Sequence, residues 1–176
     1  VKKVREWIDR YFGSLPSGPA LDRPKLWIPR LDGERNILIS DRVPLERLYL
    51  VWPTPAYFHP GDTELDIASR ILSQGKNSRL YKRLVYEKQI ASDVSAFNYS
   101  LEISGLFGIV ATVRPGESLQ AVQGLISEEI SRFVHDGPTP EELVREKAKQ
   151  EFEFISGLER LGGFGGKSDL LNQYNT

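Results

Sequence analysis

Apolar residues recur along this chain at two spacings, and the alternation between them predicts a small sheet covered by helices. Val4, Trp7, Ile8, Tyr11 and Phe12 fall at i, i+3, i+4, i+7 and i+8, one face of an amphipathic helix. No capping residue precedes that helix, so its first turn is already under way at residue 1. Residues 13–29 hold Gly13, Pro16, Gly18, Pro19, Pro24 and Pro29, the composition of a linker or surface connection. Ile37-Leu38-Ile39 and Leu48-Tyr49-Leu50-Val51-Trp52 read as short strands, separated by the polar, proline-containing stretch 40–47. After Pro53 and Pro55 comes a helix that Thr63 can cap, with Asp66 three residues on and Leu65, Ala68 and Leu72 along one face. A second helix starts near Ser78, with Leu80, Tyr81, Leu84 and Val85 at helical spacing. It is expected to bury Leu80, Leu84 and Tyr81 and to leave Arg79, Lys82 and Arg83 outside.

Residues 92–101 and 105–113 alternate or run apolar and read as a β-hairpin joined by Glu102-Ile103-Ser104. Leu119, Val122, Ile126, Ile130 and Phe133 make a long amphipathic helix, closed by Gly137-Pro138. Thr139-Pro140-Glu141-Glu142 is a capping box with Pro at the first helical position. The helix it opens should run to about Leu161, where Gly162-Gly163 end it. Its Glu- and Lys-rich stretch from Glu141 to Glu153 reads as a solvated surface, and residues 167–175 begin another helix. No repeat at a fixed period is present. The fold class that follows is α+β, a small and mostly antiparallel sheet with long helices packed on one face.

A length of 176 residues fits a single domain, 1–176. Met is absent, and helical patterns run into both ends, as expected of a domain excised from a longer polypeptide. Trp7, Tyr11, Phe12 and Phe164, near those ends, are then expected to be exposed where a neighbouring domain would cover them.

Composition removes several function classes. Lys and Arg total 23 against 24 Asp and Glu, so the net charge of -1 offers no electrostatic footprint for nucleic acid or an anionic membrane. No apolar run approaches the ~18–20 residues of a membrane span. Mixed polar residues follow Val1-Lys2-Lys3-Val4-Arg5, so no signal peptide is expected. The absence of Cys excludes disulfides, thiolate catalysis and Cys-based zinc sites, and suits periplasm and cytoplasm alike.

Candidate chemistry is sparse. Gly162-Gly163-Phe164-Gly165-Gly166-Lys167-Ser168 mimics a phosphate loop, but Leu161 stands where its leading Gly would be, and a helix precedes it instead of a strand. Gly75-Lys76-Asn77-Ser78 is a weaker version, with Ser78 better read as a helix cap. His59 and His135 are the only histidines, and neither has a second His beside it as catalytic zinc sites usually require. No Gly-x-Ser-x-Gly nucleophile elbow occurs. No catalytic, cofactor-binding or metal residue is assigned.

Residues 75–94, Gly-Lys-Asn-Ser-Arg-Leu-Tyr-Lys-Arg-Leu-Val-Tyr-Glu-Lys-Gln-Ile-Ala-Ser-Asp-Val, resemble the second domain of pitrilysin-type zinc metallopeptidases. These form the superfamily of insulin-degrading enzyme and mitochondrial processing peptidase. The resemblance extends over roughly residues 1–170, through the Asp-Arg-x-x-x-x-Arg-x-x-x-x-Trp pattern of residues 41–52, the strand at 106–115 and the Gly-rich stretch 159–169. It implies repeated α+β domains closing into a chamber around an unfolded peptide, with zinc held by a His-x-x-Glu-His helix in another domain. This chain lacks that motif, so the resemblance makes it the non-catalytic second domain of a bacterial zinc protease. Zinc then belongs to the parent and not to this chain, and the partners are the neighbouring peptidase domains and unfolded peptide. The family's substrate-gripping Arg and Tyr fall at Val85 and Ser92 here, so neither is carried over. Arg79 and Tyr86 have a similar spacing in the wrong register, and Arg79, Arg83 and Tyr86 receive no substrate role. A metal-free assembly subunit, like the core proteins of respiratory complexes, is the alternative.

Overall fold

The computed structural model describes residues 2–20, 22, 24–163 and 165–175. Phe164, one of the aromatics expected to be exposed, lies outside the described residues. The sheet is built on the predicted hairpin, β2 (Ala91–Ser100) and β3 (Gly105–Val113), with β1 (Arg47–Thr54) added on the far side of β3. Strand order is β1-β3-β2 and both pairings are antiparallel. β3 is central, so its inward residues Ile109, Ala111 and Val113 are buried.

Helices cover one face of that sheet. They are α2 (Asp62–Ser73), a π-helix (Tyr81–Glu87) and α3 (Leu119–Asp136), while α4 (Pro140–Gly157) lies outside them and α1 (Lys2–Phe12) and α5 (Lys167–Gln173) bury no residue. Leu72 of α2, Leu80 and Leu84 around the π-helix, and Val122 and Ile126 of α3 meet Val94, Ile109 and Ala111 in one core. α4 packs against α2 and forms a further layer. This is the expected α+β architecture. Among the described residues no helix is long and apolar enough to cross a membrane.

Local chemistry departs from expectation in five places. α2 starts at Asp62 with Gly61 as its cap, and not at Thr63. Gly61 takes φ 98°, a left-handed conformation cheap only for glycine, and its N–H donates to Glu64. The helix after Ser78 widens into a π-helix, its exit bonded Lys88 N–H to Arg83 C=O at 3.0 Å and Ile90 N–H to Leu84 C=O at 3.0 Å. The Ser78 hydroxyl donates to the Gly75 carbonyl at 2.6 Å, closing the preceding turn instead of capping the helix. Ile37-Leu38-Ile39 forms no strand, and α4 ends at Gly157, ahead of Leu161. The capping box of α4 is present as predicted, with Glu142 N–H to Thr139 Oγ1 and Thr139 N–H to Glu142 Oε2.

Candidate functional site

Pleating sends alternate strand residues to opposite faces, and helices take only one of them. Leu48, Leu50, Val94, Ala96, Phe107, Ile109 and Ala111 turn toward the helices. On the other face, register sets Tyr49 beside Val110 and Ser95, Val51 beside Gly108 and Phe97, and Pro53 beside Leu106 and Tyr99. This face stays open: Tyr49, Val51 and Tyr99 are 60%, 53% and 56% exposed. Phe97 lies across Gly108 so closely that a Cβ there would come 2.4 Å from its ring. A glycine in the central strand thus beds an aromatic ring flat on the sheet, and the result is a shallow apolar floor edged by two tyrosines. Such a surface suits contact with an extended chain or another domain.

Behind the sheet the helices are joined by charge. Arg79 makes a bidentate pair with Glu142 (Nε–Oε1 2.8 Å, NH2–Oε2 2.6 Å), donates to the Gly137 carbonyl at 3.0 Å and lies 5.0 Å from the Phe133 ring centre. Arg83 pairs with Glu128 and lies 3.6 Å from Glu129. The expectation that Arg79 and Arg83 stay outside with Lys82 is therefore corrected for the two arginines, because glutamates of α3 and α4 draw them into the seams. Their roles are in packing. Arg70 joins α2 to Glu153 of α4 at 2.6 Å.

The reading of α4 as a solvated charged surface holds at Glu141, Lys147 and Glu151 and is corrected at Glu142 and Glu146. Glu146 is 0% exposed, with Arg145 Nε and Lys149 Nζ at 2.9 and 3.0 Å from Oε1. Glu142, Glu146 and Gln150 form the inward stripe, whereas Val144 and Phe152 face out at 70% and 71% exposure. Arg79 and Arg70 reach Glu142 and Glu153 from outside α4, and Glu146 is paired within it by Arg145 and Lys149. Hydrogen bonds from Arg79 and Arg70 hold Glu142 and Glu153, respectively, below the ordinary carboxylate range, and Glu142 holds the Arg79 guanidinium above its own.

A polar network that sequence reading missed ties α2 to β2. Asn98 Nδ2 donates to Asp62 Oδ1 at 2.9 Å and to Asp66 Oδ1 at 3.1 Å, and Asp62 accepts the Phe58 N–H at 3.0 Å. Burial raises the Asp66 carboxyl despite the Asn98 bond. An Asn in line with the inward Val94 and Ala96 of β2 was the available signal. The adjoining cleft, about 510 Å³, is bordered by Asp66, Arg70, Gln74, Asn98 and Gln150.

Val85 is half-buried, Ser92 is exposed and Tyr86 projects into solvent. His59 and His135 are both exposed and lie on different elements. Among the described residues no cluster of His, Cys, Asp or Glu could hold a metal ion. Trp7, Tyr11 and Phe12 are exposed on α1, as expected.

Comparison with known proteins supplies the family context. Residues 1–150 match the model of the peptidase M16 inactive domain. The chain is 32% identical over 161 residues to the zinc protease PqqE of Helicobacter pylori, covering 90% of this chain and 36% of that protein. A crystal structure of a protease from Helicobacter pylori superposes with a TM-score of 0.83 at 30% identity, over 98% of this chain and 41% of that one. A peptidase M16 inactive domain from Pseudomonas fluorescens shares the fold, with a TM-score of 0.68 at 21% identity over 86% of this chain and 36% of that one. The chain thus spans well under half the length of these relatives.

Proposed function

Because this chain belongs to the peptidase M16 inactive domain family, we propose that it is one non-catalytic domain, 1–176, of a longer bacterial zinc protease, enclosing peptide substrate and packing against the metal-bearing domain. The bare apolar face of the sheet carries this reading. Tyr49, Val51, Phe97 and Tyr99 give an extended, sequence-tolerant contact for an unfolded peptide, with aromatic area and backbone but no reacting group. The outward stripe of α4, Val144 and Phe152, and the Trp7, Tyr11 and Phe12 stripe of α1 are apolar surfaces of the kind a neighbouring domain covers.

Bond cleavage is assigned to the parent's other domain. A zinc-bound water reaches a pKa of about 7 only on a metal, and Cys and paired His are absent from this sequence. The purified chain should therefore hold no stoichiometric zinc after dialysis and should not turn over an unstructured fluorogenic peptide. One tightly held zinc per chain, lost on His59→Ala or His135→Ala, would overturn the assignment, as would chelator-sensitive turnover absent from a mock purification.

A further inference from the structure

The two edges of the sheet are not equivalent. At the β2 edge, the Ala96 N–H donates to Ser73 Oγ at 2.6 Å and the same hydroxyl donates to the Ala96 carbonyl at 3.2 Å. α2 therefore blocks strand addition there. At the β1 edge, Val113 N–H donates to the Glu46 carbonyl at 2.9 Å, which fixes the alternation along the pair. The backbone N–H and C=O groups of Leu48, Leu50 and Trp52 point to β3, and those of Tyr49 and Val51 point away from it. Pro53, which has no N–H to lose, stands at the next outward position. Edges are ordinarily protected by charge, proline or cover, and the middle of this one has none of these.

We propose that the free edge of β1 is a strand-acceptor surface whose partner is the chain's own Ile37-Leu38-Ile39 segment, closing as a fourth, antiparallel strand. In this structure the segment stands off, with Ile37, Leu38 and Ile39 at 83%, 89% and 83% exposure and no strand pairing. Its course nevertheless suits the pairing. Trp27 N–H reaches the Ile103 carbonyl at 3.4 Å, at the β2–β3 turn beside the end of β1, while Glu46 is anchored at the start of β1. The chain between them must run the length of β1 in the opposite direction.

Side-chain chemistry selects one register. Opposing Ile39 to Tyr49 and Ile37 to Val51 brings their backbone groups into bonding positions and adds both isoleucines to the bare apolar face. Leu38 then falls beside Leu50 on the helix side, and Asp41 opposes Arg47, a favourable cross-strand charge pair. Residues 42–46 remain as the connection, a normal hairpin length. Bends at Arg42, Pro44 and Leu45 already curve the chain where that register needs the connection.

Amide hydrogen exchange of the purified chain tests the closure, read at two protein concentrations. The Tyr49 and Val51 amides should exchange roughly tenfold or more slowly than in Ile39→Pro, which removes a bonding N–H. Asp41→Lys, placing like charge opposite Arg47, should also release them, while the Ile109 and Ala111 amides report that the fold persists in both variants. Equal rates in all three chains would overturn the proposal. So would protection that grows with concentration, which marks a second copy on the edge, or protection appearing only with added unstructured peptide, which marks a guest strand.

Discussion

Leu84→Ala is expected to lower the unfolding free energy by about 2–5 kcal/mol, the cost of a large-to-small change at a site that cannot collapse. Leu84 is fully buried in the π-helix, in a core with Leu80, Val94, Ile109, Val122 and Ile126 contributed by strands and another helix. The widened helix is held at its exit by Lys88 and Ile90 N–H groups, so the backbone has little freedom to move inward. Tyr86→Ala, two residues on and exposed, should stay within about 0.5 kcal/mol of the parent chain. Denaturant titration of both variants decides the matter. A loss well under about 1 kcal/mol for Leu84→Ala would mean that the inward face of this helix is assigned wrongly.

Glu142→Ala should cost about 2–4 kcal/mol, because one carboxylate serves two structures. Its Oε2 accepts the Thr139 N–H that opens α4, and both oxygens bind Arg79 between α4 and the π-helix. Removing it leaves Arg79 largely out of water with only the Gly137 carbonyl and the Phe133 ring. Glu153→Ala removes a pair whose carboxylate is 47% exposed, and should cost less than about 1 kcal/mol. If the two variants lost equal stability, the buried seam at Glu142 would not hold α4 in place.

The same pair sets a pH dependence. The Glu142 carboxyl titrates below its ordinary value of 4.5, so its contribution is complete above that pH and is lost as pH falls through the lowered, folded value. Asp66, raised by burial, works in the opposite direction, and its cost is relieved on acidification. Acid unfolding of Glu142→Gln should show less loss across this window than the parent chain.

Periodicity carried most of the fold. The β2–β3 hairpin, β1 and the amphipathic α3 each present an apolar stripe of one period, and the α4 start is written locally in its capping box. Features that depend on a distant partner were not legible in this way. The spacing of Arg79 and Arg83 says only that they fall between apolar residues, and their burial depends on glutamates far along the chain. Glu146 looked solvated because charge normally faces water, yet it is fully buried with Arg145 and Lys149 of its own helix as partners. Gly61 replaced Thr63 as a cap because a left-handed backbone was required there, which composition alone does not announce. At the candidate site, the strand over residues 48–52 was legible, and its pleat puts Tyr49 and Val51 on one face. That this face stays open follows only from all the covering helices choosing the other side.

The central claim, a non-catalytic domain presenting its bare sheet face to peptide, is tested most directly by amide and side-chain NMR of the isotopically labelled chain during titration with an unstructured peptide. Shifts confined to Tyr49, Val51, Phe97, Tyr99 and Gly108, reduced by Tyr49→Glu with Tyr99→Glu and accompanied by an uncut peptide, are the predicted result. Shifts centred elsewhere, or cleavage of the peptide that a metal chelator abolishes, would contradict it.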